Sequence, residues 1–163
     1  EVLATPLQIA NFTATIANRG WYYVPHIIKS VQGEEEIEAK FRLKNKPKVD
    51  SVNYLPVIDG MEMATIAGTA TIARIPNIVV CGKTGTAENP HGKDHSVFVA
   101  FAPKDKPKIA ISVYVENAGF GASHAAPIAS LIMEKYLTGS ISRPWLELYV
   151  KNTNMLKEGD KKD

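Results

Sequence analysis

The sequence predicts an α+β fold, an antiparallel sheet packed with helices. Three observations carry this. Three β-prone runs follow one another between residues 78 and 117. The last two are joined by the short charged turn "KDKPK" at 104–108, which favours antiparallel partners. Segments with helical period and cap signals flank them, at 5–19, 56–67 and 125–138.

The first helix has a clear entry signal. Thr5 can cap it, Pro6 takes the first helical position and Gln8 completes a capping box. Leu7, Ala10, Ala14 and Ala17 form an apolar stripe that Ile9, Phe12 and Ile16 widen, so the helix is expected to be mostly buried. Gly20 supplies the stop. Residues 21–31, "WYYVPHIIKSV", are β-prone, and the charged run 34–44 reads as an exposed hairpin or excursion, with the charged excursion placed at about 32–54. The second helix is expected to start at Pro56, with Val57, Met61 and Ala64 on one face, and to end at Gly68.

Strands are expected at 78–84, 96–103 and 109–117. "AGFGAS" then reads as a flexible connection to the last helix, whose core stripe is Ile128, Leu131, Ile132 and Tyr136 and whose end is Gly139. Residues 141–163 read as an extension with a polar, loose end. Trp21, Tyr22, Tyr23 and Trp145 are expected to serve packing. The chain enters a helix almost at once, so its natural start is expected to lie upstream.

Composition narrows the function. The 163 residues carry 19 basic and 17 acidic side chains, a formal net charge of +2, which gives no case for nucleic acid. The lone Cys81 sits in the apolar run Ile78–Cys81 and reads as a small buried hydrophobe. No stretch approaches the roughly 18 apolar residues of a membrane span. His91, Asp94 and His95 share a loop without a thiolate and read as solvated rather than metal-binding; no metal or other cofactor is expected. Glu88 reads as a surface acid, Glu116 and Asn117 as turn formers, and His124 as packing at a helix entry.

The chemistry concentrates in "GKTGTAE", 82–88. A phosphate loop would need glycine at 77, where Asn77 stands, and a helix after the lysine, where "GTAENPHG" follows. The alternative places Lys83-Thr84-Gly85 on a strand lining a cleft. Lys83 then offers a fixed ammonium that attracts a carboxylate and polarises proton transfer. The hydroxyls of Thr84 and Thr86 can bind that carboxylate. Gly85 leaves room for a peptide to lie alongside as an added strand, and a backbone N–H just beyond it can face an oxyanion.

With its context this stretch resembles class B penicillin-binding proteins, in the C-terminal part of their transpeptidase domain. "TPLQIANFTATIANRG" (5–20), "VPHIIKSV" (24–31), "GMEMATIAGTA" (60–70), "GKTGTAE" (82–88), "HSVFVAFAPKDKPKIAISVYVENAG" (95–119) and "HAAPIASLIMEKYL" (124–137) carry the resemblance, in family order. Val115-Glu116-Asn117 is most similar to the elongation-type branch. The resemblance implies that residues 1–140 are the C-terminal portion of a penicillin-binding/β-lactamase-like fold. It implies cross-linking of peptidoglycan stem peptides by serine acyl transfer, inhibition by β-lactams, and action at the periplasmic face of the inner membrane. Elongation-complex proteins and a glycosyltransferase are the implied partners. Lys83, Thr84 and Gly85 match the family's third catalytic motif, and Thr86 matches its oxyanion and carboxylate-binding position.

The first motif, S-x-x-K, is missing: no serine here has lysine three residues on. Ser51-Val52-Asn53 imitates the second motif, S-x-N, but follows the first helix instead of preceding it and reads as a turn. The chain alone is therefore expected to be inactive, and to self-associate through apolar faces. A D,D-carboxypeptidase or β-lactamase relative, and a non-catalytic penicillin-binding sensor or scaffold, are the alternatives.

Overall fold

The computed structural model describes residues 3–33 and 37–153. Its elements are α1 (Pro6–Ala17), α2 (Ala39–Arg42), α3 (Tyr54–Ile66), β1 (Cys81–Ala87), β2 (His95–Ala102), β3 (Ile109–Val115), α4 (Ala125–Thr138) and α5 (Pro144–Asn152). Short 3-10 turns at Ser51–Asn53 and Thr71–Ala73 precede α3 and β1. The strands form an antiparallel sheet in the order β1-β2-β3. Among the described residues no helix is long and apolar enough to cross a membrane.

The sheet has a core on each face. Alternation along β2 sends Phe98, Ala100 and Ala102 to one side, where Ala125, Ala126, Ala129 and Met133 of α4 meet them. Phe101, with Cys81 of β1, meets Ile16 and Ala17 of α1 and Tyr54, Ile58 and Met61 of α3 on the other. One close approach fixes how β1 sits on β2. Gly82 pairs with Ala100, and the Phe98 ring fills the place a Cβ at Gly82 would take, 2.5 Å from it.

α1 opens with the expected capping box. The Gln8 amide donates to Thr5 Oγ1 at 3.3 Å, and the Thr5 amide donates to Gln8 Oε1 at 2.8 Å. The expectation of a mostly buried helix fails, however. Leu7 and Phe12 are 61% and 65% exposed, and the buried residues are Thr13, Thr15, Ile16 and Ala17. The buried residues of α1 all lie in its C-terminal half. Gly20, at φ 103, ends the turn against the Tyr54 ring.

Other expectations are corrected too. Residues 21–31 form no strand: among the described residues a single bridge joins Tyr22 to Asn45, and no further strand pairs with them. Of the two readings of the charged run, the described residues show the excursion, which holds the short helix α2 and, among those residues, no strand pair; Glu34–Glu36 lie outside the described residues. Trp21 and Tyr23 meet edge to face with Lys44 over the indole, whereas Trp145 is largely exposed. α3 starts at Tyr54, which puts Pro56 in the first turn where no N–H is needed. Its buried face is Tyr54, Ile58, Met61 and Thr65; Val57 is exposed.

β1 runs from 81 to 87, three residues later than expected at either end, because the ladder with β2 begins only at Cys81; Ile78 bridges back to Ile75, and Val79 O accepts the Lys104 amide. α4 presents alanines to the sheet, which permits close approach; Leu131 is buried, but Ile132 and Tyr136 face outward. The extension contains α5, with Pro144 in its first turn. The tail from residue 154 lies outside the described residues.

α5 is fastened by a buried ion pair. The Arg143 guanidinium binds Glu134 Oε2 at 3.0 Å and also donates to Arg74 O at 2.6 Å and Ser130 O at 3.1 Å. Burial pushes the Glu134 carboxyl up, but the Ser142 hydroxyl and amide, with Arg143, outweigh it and hold the group below its ordinary value.

Candidate active site

β1 is the outer strand of the sheet, so every second N–H and C=O along Lys83–Thr86 points away from β2. These four residues line one wall of an open groove of about 650 Å³. The facing wall is the turn Phe120–Ser123 ahead of α4, and Thr69 also lines the groove.

Lys83 is exposed, and its ammonium donates to Thr84 O at 2.7 Å. The Thr84 hydroxyl, half-buried, lies 2.8 Å from that of Thr69. Gly85 is half-buried and Thr86 exposed. The sequence-predicted site residues thus line one groove, with a positive charge at its side. The nearest atoms that a Cβ added to Gly85 would meet belong to Val97, at an ordinary 3.4 Å, so the sheet itself does not require glycine there.

Gly121 is different. A Cβ there would lie 2.3 Å from Val97 O and 2.6 Å from Gly85 O, so the facing wall rests with its backbone directly on the strand pair. Ser96, fully buried at the start of β2, holds the same wall. Its hydroxyl donates to Phe120 O at 2.9 Å and accepts from the Ala125 amide at 3.1 Å. From outside, Tyr149 of α5 donates its hydroxyl to Ser123 O at 3.0 Å. "AGFGAS", expected to be a flexible connection, is therefore a fixed structure. Two glycines in six residues were the signal; the contacts of Thr69, Ser96 and Tyr149 left none.

The other candidates are placed apart from this chemistry. Ser51–Asn53 is an exposed 3-10 turn, as expected for a turn sequence. His95 accepts the Asn117 amide at Nδ1, 3.0 Å away, and lies against the Tyr114 ring. Asp94 accepts the Asn89 amide within the β1–β2 loop. Cys81 is fully buried, and burial, reinforced by the Glu62 carboxylate, pushes its thiol up to about 12. Lys104 bridges Asp59 and Glu62 of α3, and these bonds raise its ammonium above the ordinary lysine range.

The family model described as "Penicillin binding protein transpeptidase domain" matches residues 2–134. The chain is 34% identical, over 90% of its length, to the protein named peptidoglycan D,D-transpeptidase MrdA of Haemophilus influenzae. It is 35% identical, over 82%, to the MrdA of Acinetobacter baumannii. It spans about a quarter of the length of these curated relatives, 25% and 22%. Among solved structures, the Pseudomonas aeruginosa PBP2 in complex with WCK 5153 superposes with a TM-score of 0.70 at 34% identity, covering 83% of this chain and 30% of that one.

Proposed function

The chain belongs to the penicillin-binding protein transpeptidase family, and from that premise we propose that it is the C-terminal part of the catalytic domain of a peptidoglycan D,D-transpeptidase of the elongation type, penicillin-binding protein 2. The observation that carries the reading is the groove between Lys83–Thr86 and Phe120–Ser123, with the Lys83 ammonium and two threonine hydroxyls along one wall. Its outer strand offers unpaired backbone groups to an extended stem peptide, and Gly85 leaves the approach clear. The Lys83 ammonium and the hydroxyls of Thr84 and Thr86 receive a carboxylate, of the peptide or of a β-lactam. The Thr86 N–H joins the donors to the oxyanion.

The nucleophile is a serine outside these residues, since none here has a lysine three positions on. Its hydroxyl adds to the peptide carbonyl and loses its proton to a neighbouring base; the terminal residue leaves as a protonated amine. The amine of a second stem peptide then displaces the serine oxygen and forms the cross-link. The whole protein acts at the periplasmic face of the inner membrane with elongation-complex proteins and a glycosyltransferase. Relatives that carry the label MrdA support the elongation-type assignment.

The test is covalent labelling with a fluorescent penicillin. The full-length protein is expected to gain one adduct on a serine of an S-x-x-K segment, and Lys83→Ala to lower the labelling rate by about a hundredfold, the scale of an electrostatic group at the reacting centre. The 163-residue chain is expected to stay unlabelled. An adduct on any serine of this chain, or an intact protein that hydrolyses stem peptides without joining them, overturns the assignment.

A further inference from the structure

α5 lies beyond the residues that the family model matches, yet its Tyr149 is hydrogen-bonded to Ser123 of the groove's wall. We infer that Tyr149 is a positioning residue for the groove, which sets the facing wall Phe120–Ser123 at its working distance from Lys83–Thr86. This rests on the reading of the groove as the ligand site.

The wall is a tight turn, closed by the Ser123 amide donating to Phe120 O at 3.0 Å. Its near end is pinned from beneath by Ser96 and by the contact of Gly121 with Gly85 and Val97. Its far end, Ser123 O, has the Tyr149 hydroxyl as the bond that reaches it from another element. The helix that supplies this hydroxyl cannot drift, because Arg143 at its entry is bound to Glu134, Ser130 and Arg74 O, and Leu146 is fully buried. A rigid helix thus transmits its position to the groove through one phenol. Tyr149 touches no reacting atom. Its effect is on how much of the wall's ordering is done before a ligand arrives.

The experiment uses the full-length protein with Tyr149→Phe, which keeps the ring and deletes one oxygen, and Leu148→Ala, an exposed neighbour on the same helix, as the control. Fluorescent-penicillin labelling is followed over a range of concentrations, and amide hydrogen exchange over residues 120–125. Tyr149→Phe is expected to raise the half-saturating concentration about three- to tenfold, as loss of one hydrogen bond to the wall would. Exchange at Ala122–Ala125 is expected to rise by a similar factor, while the labelled fraction at saturation and the melting temperature stay put. Leu148→Ala is expected to change none of these. An unchanged half-saturating concentration, unchanged exchange, or a loss that appears only as a lower labelled fraction or melting temperature overturns the inference. A wild-type protein that takes no label fails the reading of the groove instead, and the exchange measurement still decides whether Tyr149 orders the wall.

Discussion

Two glycines on either side of the groove separate packing from ligand access. Gly121 has no room for a methyl group, since the backbone oxygens of Val97 and Gly85 occupy its place. Gly121→Ala must displace main chain, and about 1–3 kcal/mol of stability is expected to go with it, read as a lowered melting temperature. Gly85 has ordinary room, so Gly85→Ala is expected to change stability by less than about 1 kcal/mol. In the full-length protein it is nevertheless expected to slow penicillin labelling at least tenfold, because its methyl lies where the peptide would run. If Gly85→Ala labels normally, the added-strand geometry is wrong. The sequence made Lys83–Thr86 legible because a lysine, two hydroxyls and a glycine at a strand end have joint chemistry. It could not reveal Ser96, one serine in an apolar strand whose two hydrogen bonds are both to main chain.

Among the elements, the Arg143–Glu134 pair decides whether α5 stays in place. Glu134 has its folded carboxyl held below its ordinary value of 4.5. The stabilisation is therefore fully present above pH 4.5 and is lost as pH falls through the lower, folded value. Glu134→Gln leaves Arg143 buried beside an amide, and about 3–5 kcal/mol is expected to be lost near neutral pH. Melting temperatures measured from pH 7 to 3 should fall less steeply for the variant than for the wild type; parallel curves would mean that the pair does not govern the acid limb. Cap signals and period-2 runs made α1, α4 and the three strands legible, since these are local properties. The non-strand at 21–31 was not legible, because β-prone residues pair only where a neighbour exists, and here only Tyr22 finds one. Periodicity points the buried face of α4 towards its large side chains, whereas alanines are what lets it lie close on the sheet.

On the scale of the whole molecule, the two cores cover both sheet faces but leave apolar side chains of α1 and the residues before it uncovered, with Leu3, Leu7 and Phe12 all more than half exposed. The isolated chain is expected to self-associate through them. Sedimentation should show a mean mass that rises with concentration, and a Leu7→Ser/Phe12→Ser double variant should return it to monomer; a wild-type chain that stays monomeric at high concentration refutes this.

The ring of Phe98 lodged at Gly82 acts on β1 like a pin in a notch. Slippage of β1 by one residue along β2 would reverse the side on which every one of its side chains emerges. It would also drive a substituted carbon, Cys81 or Lys83, onto the ring in place of the vacant glycine. Indexing of the sheet by one phenyl group thus dictates which flank of the molecule receives the ammonium.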